Sequence, residues 1–176
     1  MARWRFEPGH TAAEFCVRHM MVTYVRGHFK NIPGELEFDP AKPEEGSVEL
    51  EIDAAGLWSG EPDRDAHLRS SDFLDVEKHP QITFRSTKVE PTARNEYKVT
   101  GNLTIRGVTK TVTLDVRFLG QGKSPFADTR VGFSAHTVIN RHDFGVSWNS
   151  PMQDAGVVVG DDVIITVDAE AILEVG

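Results

Sequence analysis

The sequence predicts an all-β protein: an eight-stranded antiparallel barrel with short helical segments near 18–24 and 62–75. Two stripes carry the prediction. Val48, Leu50, Ile52 and Ala54 alternate with Glu49, Glu51 and Asp53, and Val112, Leu114, Val116 and Phe118 alternate with Thr111, Thr113, Asp115 and Arg117. Successive side chains on a strand point to opposite faces, so each stripe has one dry face and one wet face. The third observation is that such stripes recur from end to end with little helix between them, which favours a sheet closed on itself.

Taken in order, the strand candidates are Arg3 to Glu7, Ala13 to Val17, Gly27 to Phe38, Ser47 to Ala54, Gln81 to Val89, Tyr97 to Ile105, Lys110 to Leu119, Thr129 to Asn140 and Asp162 to Leu173. Turn chemistry separates them: Asp39-Pro40-Ala41-Lys42-Pro43, Glu90 to Asn95, Arg106-Gly107 and Gly120 to Pro125 combine fixed-φ Pro with Gly or Asn. Connections this short join antiparallel neighbours. The run Arg18 to Tyr24 breaks the alternation and fits a short helical turn with Met20 and Tyr24 on one side. The second break, Ser59 to Pro80, holds Pro62 at a first helical position, Asp63 and Asp65 at the positive end and a stop at His79-Pro80. Its Ala66, Leu68, Phe73 and Leu74 suit a helix laid across an open barrel end.

At 176 residues, residues 1–176 are read as one domain. Hydrophobic residues make up 39% and charged residues 26%, with no long apolar run, which leaves neither a membrane-spanning helix nor a disordered bias. Met1 to Phe6 lacks the apolar centre of a secretory signal, so a cytoplasmic location is expected. A net charge of −8 opposes nonspecific attraction to nucleic acid or an anionic membrane, local basic spots aside. Outward Glu35, Glu37, Lys98, Thr100 and Asn102 oppose inward Leu36, Phe38, Val99, Gly101 and Leu103, the reverse of a membrane barrel. The interior is therefore oily, and on these grounds it is either filled by its own side chains or open to one elongated ligand.

Polar motifs add little chemistry. His10, His19, His28, His67, His79, His136 and His142 show no ligand spacing, His136 falls on the outward parity, and Cys16 is single, so no metal site is expected. Arg141-His142-Asp143 and Asp143-Phe144-Gly145 lack a kinase context and read as a turn in which Arg and Asp hold the last loop. Gly122-Lys123-Ser124 has Arg117 in place of a first glycine and Pro125 in place of a helix, which rules out a phosphate loop. Glu44-Glu45 and Asp161-Asp162 read as solvated turn charges.

Five blocks in order resemble the YceI family of polyisoprenoid-binding proteins: Glu7 to Thr11 through Phe15, Val17 to His19 and Gly27 to Phe29; Asp65 to Asp75 with His79 to Phe84; Gly101 to Lys110; Arg141 to Gly145; and Val159 to Val163. Glu7 stands where that family more often has Asp. The resemblance implies a lipocalin-like barrel that carries or stores a long isoprenoid, such as a polyprenyl phosphate or a quinone tail, without catalysis and without a cofactor beyond that ligand. The lining expected on this reading is Phe15, Val17, Met20, Met21, Phe29, Leu68, Phe73, Leu74, Phe84, Leu103, Leu114 and Phe133, with His19 and His67 at the mouth as head-group partners. Met20 and Met21 rank high because thioethers adapt to varied apolar surfaces. Two rivals stand beside it: an enzyme using His19, His67 or Asp65 as acid or base, and a filled barrel acting through its surface. Outward Val or Phe side chains leave a homodimer open.

Overall fold

The computed structural model describes residues 1–152 and 156–175. Ten strands form one antiparallel sheet: β1 (Arg3–Phe6), β2 (Ala12–His19), β3 (Thr23–Phe29), β4 (Gly34–Glu37), β5 (Ser47–Asp53), β6 (Gln81–Ala93), β7 (Glu96–Ile105), β8 (Val108–Lys123), β9 (Thr129–Asn140) and β10 (Val159–Leu173). The ring runs β1-β4-β5-β6-β7-β8-β9-β10 and closes through β1 on β10, so the barrel wall has the eight staves that the sequence predicts. The extra segments arise because two staves are broken. A one-turn 3-10 helix at Pro8–His10 splits the first into β1 and β2, and both halves pair with β10. The stretch predicted as one strand from Gly27 to Phe38 breaks at Asn31, whose φ is 56°, and Pro33, which has no N–H for a ladder.

Directly paired residues share a face, so register fixes which side chains look inward. Val116 faces Tyr97 and Ala135, Val167 faces Ala135 and Ala13, and Phe15 faces Gly27 and Ile165. One end is plugged by aromatic rings. Phe38 lies 5.1 Å from Phe118 and 5.0 Å from Phe133, those two are 5.5 Å apart, and Trp4 Nε1 donates to the Phe38 carbonyl at 3.0 Å. Burial among them pushes the Tyr97 phenol up. Two inward glycines make room for rings: the place of a Cβ on Gly101 is 2.6 Å from Phe84 Cζ and 2.5 Å from the Arg85 carbonyl, and Phe15 lies over Gly27. Outside, Arg85–Glu49, Lys98–Asp115 and Arg117–Glu96 are exposed cross-strand pairs worth less than about 1 kcal/mol each. Cys16 is buried and His136 exposed.

The helical segment expected near 18–24 is instead a hairpin. Register continues through Val17–Val25, Arg18–Tyr24 and His19–Thr23, and the turn is made by Met20 (φ 51°) and Met21 (φ 62°), closed by Val22 N–H on the His19 carbonyl at 3.2 Å. The physical reason is hydrogen-bond supply. A single helical turn leaves most of its N–H and C=O groups unpaired, whereas the hairpin extends an existing ladder, and the Val and Thr residues favour it. The second helical segment is present but shorter than 62–75. Helix α1 spans Pro62–Arg69, capped by the Glu61 side chain on Asp63 N–H, and stops where the Ser70 hydroxyl takes the His67 carbonyl at 2.6 Å. Residues 70–78 continue as turns, with Asp75 at φ 50°. Among the described residues no helix is long and apolar enough to cross a membrane.

Candidate functional site

At the end opposite the aromatic plug the wall is incomplete. The β5 strand stops short of β3, and residue 58 stands in: His28 N–H donates to the Trp58 carbonyl at 2.8 Å, and Trp58 N–H to the His28 carbonyl at 3.1 Å. Leu57 turns inward and is buried, while the Trp58 ring stacks outside on His28 at 4.7 Å. Helix α1 and residues 70–78 then cover part of the opening. Leu68 and Leu74 pack on the core, and Phe73 lies 5.4 Å from Trp148.

Inward does not mean packed. On β7 the inward Tyr97, Val99, Leu103 and Ile105 are all buried. On β8 the inward Val112, Leu114 and Val116, on β10 Val163, Ile165 and Val167, on β2 Phe15 and Val17, and on β3 Val25 keep accessible surface although they face the lumen. A side chain pointing into a barrel stays accessible only where nothing fills the space before it. The β8, β10, β2 and β3 walls are therefore the less tightly covered part of the apolar interior, half-buried where they pack against the core between the plug and the mouth.

The mouth is fastened by arginines. Arg141, 4% exposed, donates from Nε to the Gly160 carbonyl (2.7 Å), from Nη1 to Val146 (2.7 Å) and Trp148 (2.9 Å), and from Nη2 to Val159 (3.2 Å). Burial lowers its pKa, and the Asp161 charge opposes that shift. Arg106, at the β7–β8 turn, joins the Phe73 and Gly145 carbonyls at 3.0 and 3.1 Å. Arg69 joins Ala55 (2.9 Å) and Leu57, and Arg64 holds the Ser59 hydroxyl (2.8 Å) and carbonyl (2.7 Å). The expected role of Arg141 as the holder of the last loop is what the geometry shows. The Asp143 carboxylate plays no such part and is exposed; Asn140 caps the turn instead, accepting from His142 N–H at 2.9 Å.

Asp65, on α1, is buried and accepts the Ser59 N–H on both oxygens (3.0 and 3.1 Å) and the Ser59 hydroxyl. Burial works to raise its pKa, but the Ser59 hydrogen bonds and the Arg69 and Arg64 charges outweigh it and hold the carboxyl below its usual value. A lowered folded-state pKa makes ionised Asp65 a stabilising group. That contribution is complete above its unfolded value near 3.8 and fades as pH falls through the lower folded value. Asp65→Ala is expected to cost about 1–3 kcal/mol at neutral pH through the orphaned Ser59 donors. Urea midpoints of wild type and variant then converge as pH is lowered below 4, and a gap that stays constant would contradict the assignment.

The structure distributes the expected lining residues unequally. Phe15, Val17 and Leu114 point inward and are half-buried. Phe29, Phe84, Leu103 and Phe133 are inward but buried in packed wall, and Phe73 is buried beneath the mouth. His19 is half-buried at the end of β2. His67 sits over the opening, its ring edge-on to Phe73 (5.0 Å) and Trp148 (4.7 Å) and its Nε2 2.9 Å from Asp72. Met20 and Met21 are exposed at the hairpin tip and do not line the interior. Sequence reasoning missed Val25, Val112, Val116, Val163, Ile165, Val167 and Trp148. For the β8 and β10 residues the signal was there, since they share parity with Leu114 and Val17. On the rim, His142 lies 3.1 Å from the Ser147 hydroxyl and 2.7 Å from Asp161, tying the turn at Arg141–Phe144 to the start of β10. Among the described residues no group of three or more His, Cys, Asp or Glu is placed to hold a metal ion.

Comparison with known proteins gives this geometry relatives. The YceI-like domain model matches residues 4–171. A UPF0312 protein of Pseudomonas putida is 41% identical over 140 residues, covering 80% of this chain and 73% of that protein. The crystal structure of Burkholderia cenocepacia BcnA is similar with a TM-score of 0.79 and 29% identity, over 91% of this chain and 95% of that one. A polyisoprenoid binding domain from Saccharophagus degradans, implicated in plant cell wall breakdown, has a TM-score of 0.72 and 12% identity over 99% and 100% of the two chains, a likeness of fold alone.

Proposed function

The chain belongs to the YceI-like domain family, and from that premise we propose that it binds a long-chain isoprenoid, a polyprenyl lipid or a quinone tail, and shields it from water as a non-enzymatic carrier or store. The observation that carries the reading is the half-buried inner face of β8 and β10, where Val112, Leu114, Val116, Val163, Ile165 and Val167 keep accessible surface inside the wall. The fold of the Saccharophagus degradans domain, which is described as polyisoprenoid binding, supports it. Each methylene moved from water to such a surface contributes about 0.8 kcal/mol, so a few prenyl units outweigh the cost of ordering the chain. The stripe itself is Val, Leu and Ile throughout, which suits a tail without polar groups. The mouth supplies the polar partners: His67 with Asp72, and His19 at the end of β2.

Denaturing extraction of the purified protein, followed by mass spectrometry of the organic phase, tests this. A prenyl lipid or quinone at near one per chain is the expected result. An empty extract, together with no thermal shift on adding a polyprenyl phosphate or a quinone, would overturn the proposal.

A further inference from the structure

The β2–β3 hairpin projects at the open end of the barrel and shows water what a fold normally hides. Met21 is 53% exposed, Val22 81% and Tyr24 47%, and Met20 is exposed beside them. The tip is continuous with the neighbouring rim: Met20 N–H donates to the Val158 carbonyl at 2.8 Å, Met21 lies against Gly156, and Val157 is itself exposed. The turn does not need these residues. Its two positive-φ positions would favour Asn-Gly on backbone grounds, and the β7–β8 turn of the same molecule does place Gly107 (φ 73°) second after Arg106 (φ 51°). Met20 and Met21 hold the same geometry without a glycine, with Arg18 Nη2 on the Met21 carbonyl at 2.6 Å.

Behind the tip stands a basic and aromatic collar. The Arg18 and Arg26 guanidiniums lie 5.4 and 5.9 Å from the centre of the Tyr24 ring. The outward face of β3 continues with His28, on which Trp58 stacks, and Lys30. Among the described residues the acidic groups nearby are Glu14, 3.5 Å from Arg26, and Asp161 and Asp162 at the start of β10. Within the hairpin itself Arg18 and Arg26 outnumber the one acid, Glu14, in a chain of net charge −8.

We propose that the β2–β3 hairpin docks the barrel mouth on an anionic lipid bilayer. Met20, Met21 and Val22 enter the interface, Tyr24 sits at the level of the head groups, and Arg18 and Arg26, beside the Tyr24 ring, meet lipid phosphates. A few apolar side chains at a loop tip are too little for a stable protein interface, which takes about 800 Å² from each partner, but they suit shallow insertion backed by charge. Charge complementarity selects anionic lipid. The inference rests on the isoprenoid reading for its purpose, since a ligand insoluble in water must enter from a membrane, and on the hairpin alone for its geometry.

The test is flotation of the purified chain with phosphatidylcholine–phosphatidylglycerol vesicles at low salt, with pure phosphatidylcholine vesicles as the reference. Wild type is expected to float with the mixed vesicles and to be released by salt. Val22→Glu abolishes flotation while leaving the melting temperature unchanged, and Arg26→Gln lowers the partition about fivefold. Wild type left in solution with both vesicles, or Val22→Glu floating as wild type does, overturns the proposal. So does a dimer that Val22→Glu dissociates in the absence of any flotation. Extraction of bound lipid separates the two readings: flotation with an empty lumen supports docking and removes its isoprenoid cargo, whereas a filled lumen without flotation removes docking alone.

Discussion

Replacing Arg141 by Met is expected to cost about 3–5 kcal/mol of folding stability, the largest effect of any single side chain at the mouth. The guanidinium is almost wholly buried and donates to four carbonyls, those of Val146, Trp148, Val159 and Gly160, with no carboxylate in contact among the described residues. Met fills similar space but has no donor. Buried acceptors left dry cost about 1–3 kcal/mol each, and water reaching some of them limits the total. Urea unfolding reads the change as a lower midpoint at unchanged slope, and thermal unfolding as a drop of about 10 °C. Arg141→Lys restores only part of it, because one ammonium cannot span positions that a planar fork reaches from Nε, Nη1 and Nη2 together. The exposed His142–Asp161 contact next to it supplies the contrast: His142→Ala is expected to change stability by less than about 1 kcal/mol. Equal midpoints for Arg141→Met and wild type would mean that the 146–160 carbonyls are satisfied by solvent and that the mouth is not fastened from within.

What the sequence revealed and what it concealed divide along one physical line. Period-two stripes report which face of a strand is dry, so β5 with Val48, Leu50 and Ile52 and β8 with Val112, Leu114 and Val116 were legible, and with them the barrel. Parity does not report what stands across the lumen. Val99 on β7 and Leu114 on β8 face one another in register and alternate alike, yet Val99 is buried and Leu114 only half-buried, because coverage depends on residues distant in the chain. The β2–β3 turn was misread for a related reason. Met20 and Met21 lie where the ladder ends, and without cross-strand partners their apolarity carries no periodic signal. Of the arginines of the mouth, Arg141 was legible as the holder of the last loop, whereas Arg69 and Arg106 were not. Arg69, Arg106 and Arg141 each sit in a block of the YceI resemblance, and each spends its donors on loop carbonyls. The signature of the family, at these positions, is therefore in good part the signature of a fastened mouth, and the residues facing the open lumen lie mostly outside it.

Leu114→Phe combined with Ile165→Phe is expected to lower affinity for a prenyl probe such as geranylgeranyl phosphate by about a hundredfold while shifting stability by less than about 1 kcal/mol. Both side chains point inward and are only half-buried, on β8 and β10. Rings placed there occupy the path of the tail. Excluding about four methylenes from the wall forfeits about 3 kcal/mol, which is the hundredfold loss. Stability moves little because added carbons enter empty space; in a filled barrel the same substitutions overpack the core and cost about 1–3 kcal/mol each. The two outcomes are opposite in both readouts, which makes the pair decisive between an open and a filled barrel. Thr111→Phe, on the outward face of β8, serves as the reference and should change neither affinity nor midpoint. Fluorescence displacement gives the affinity and urea unfolding the stability. A double variant that unfolds early and binds no less tightly would place the interior among packed cores and move the search for function to the outer surface.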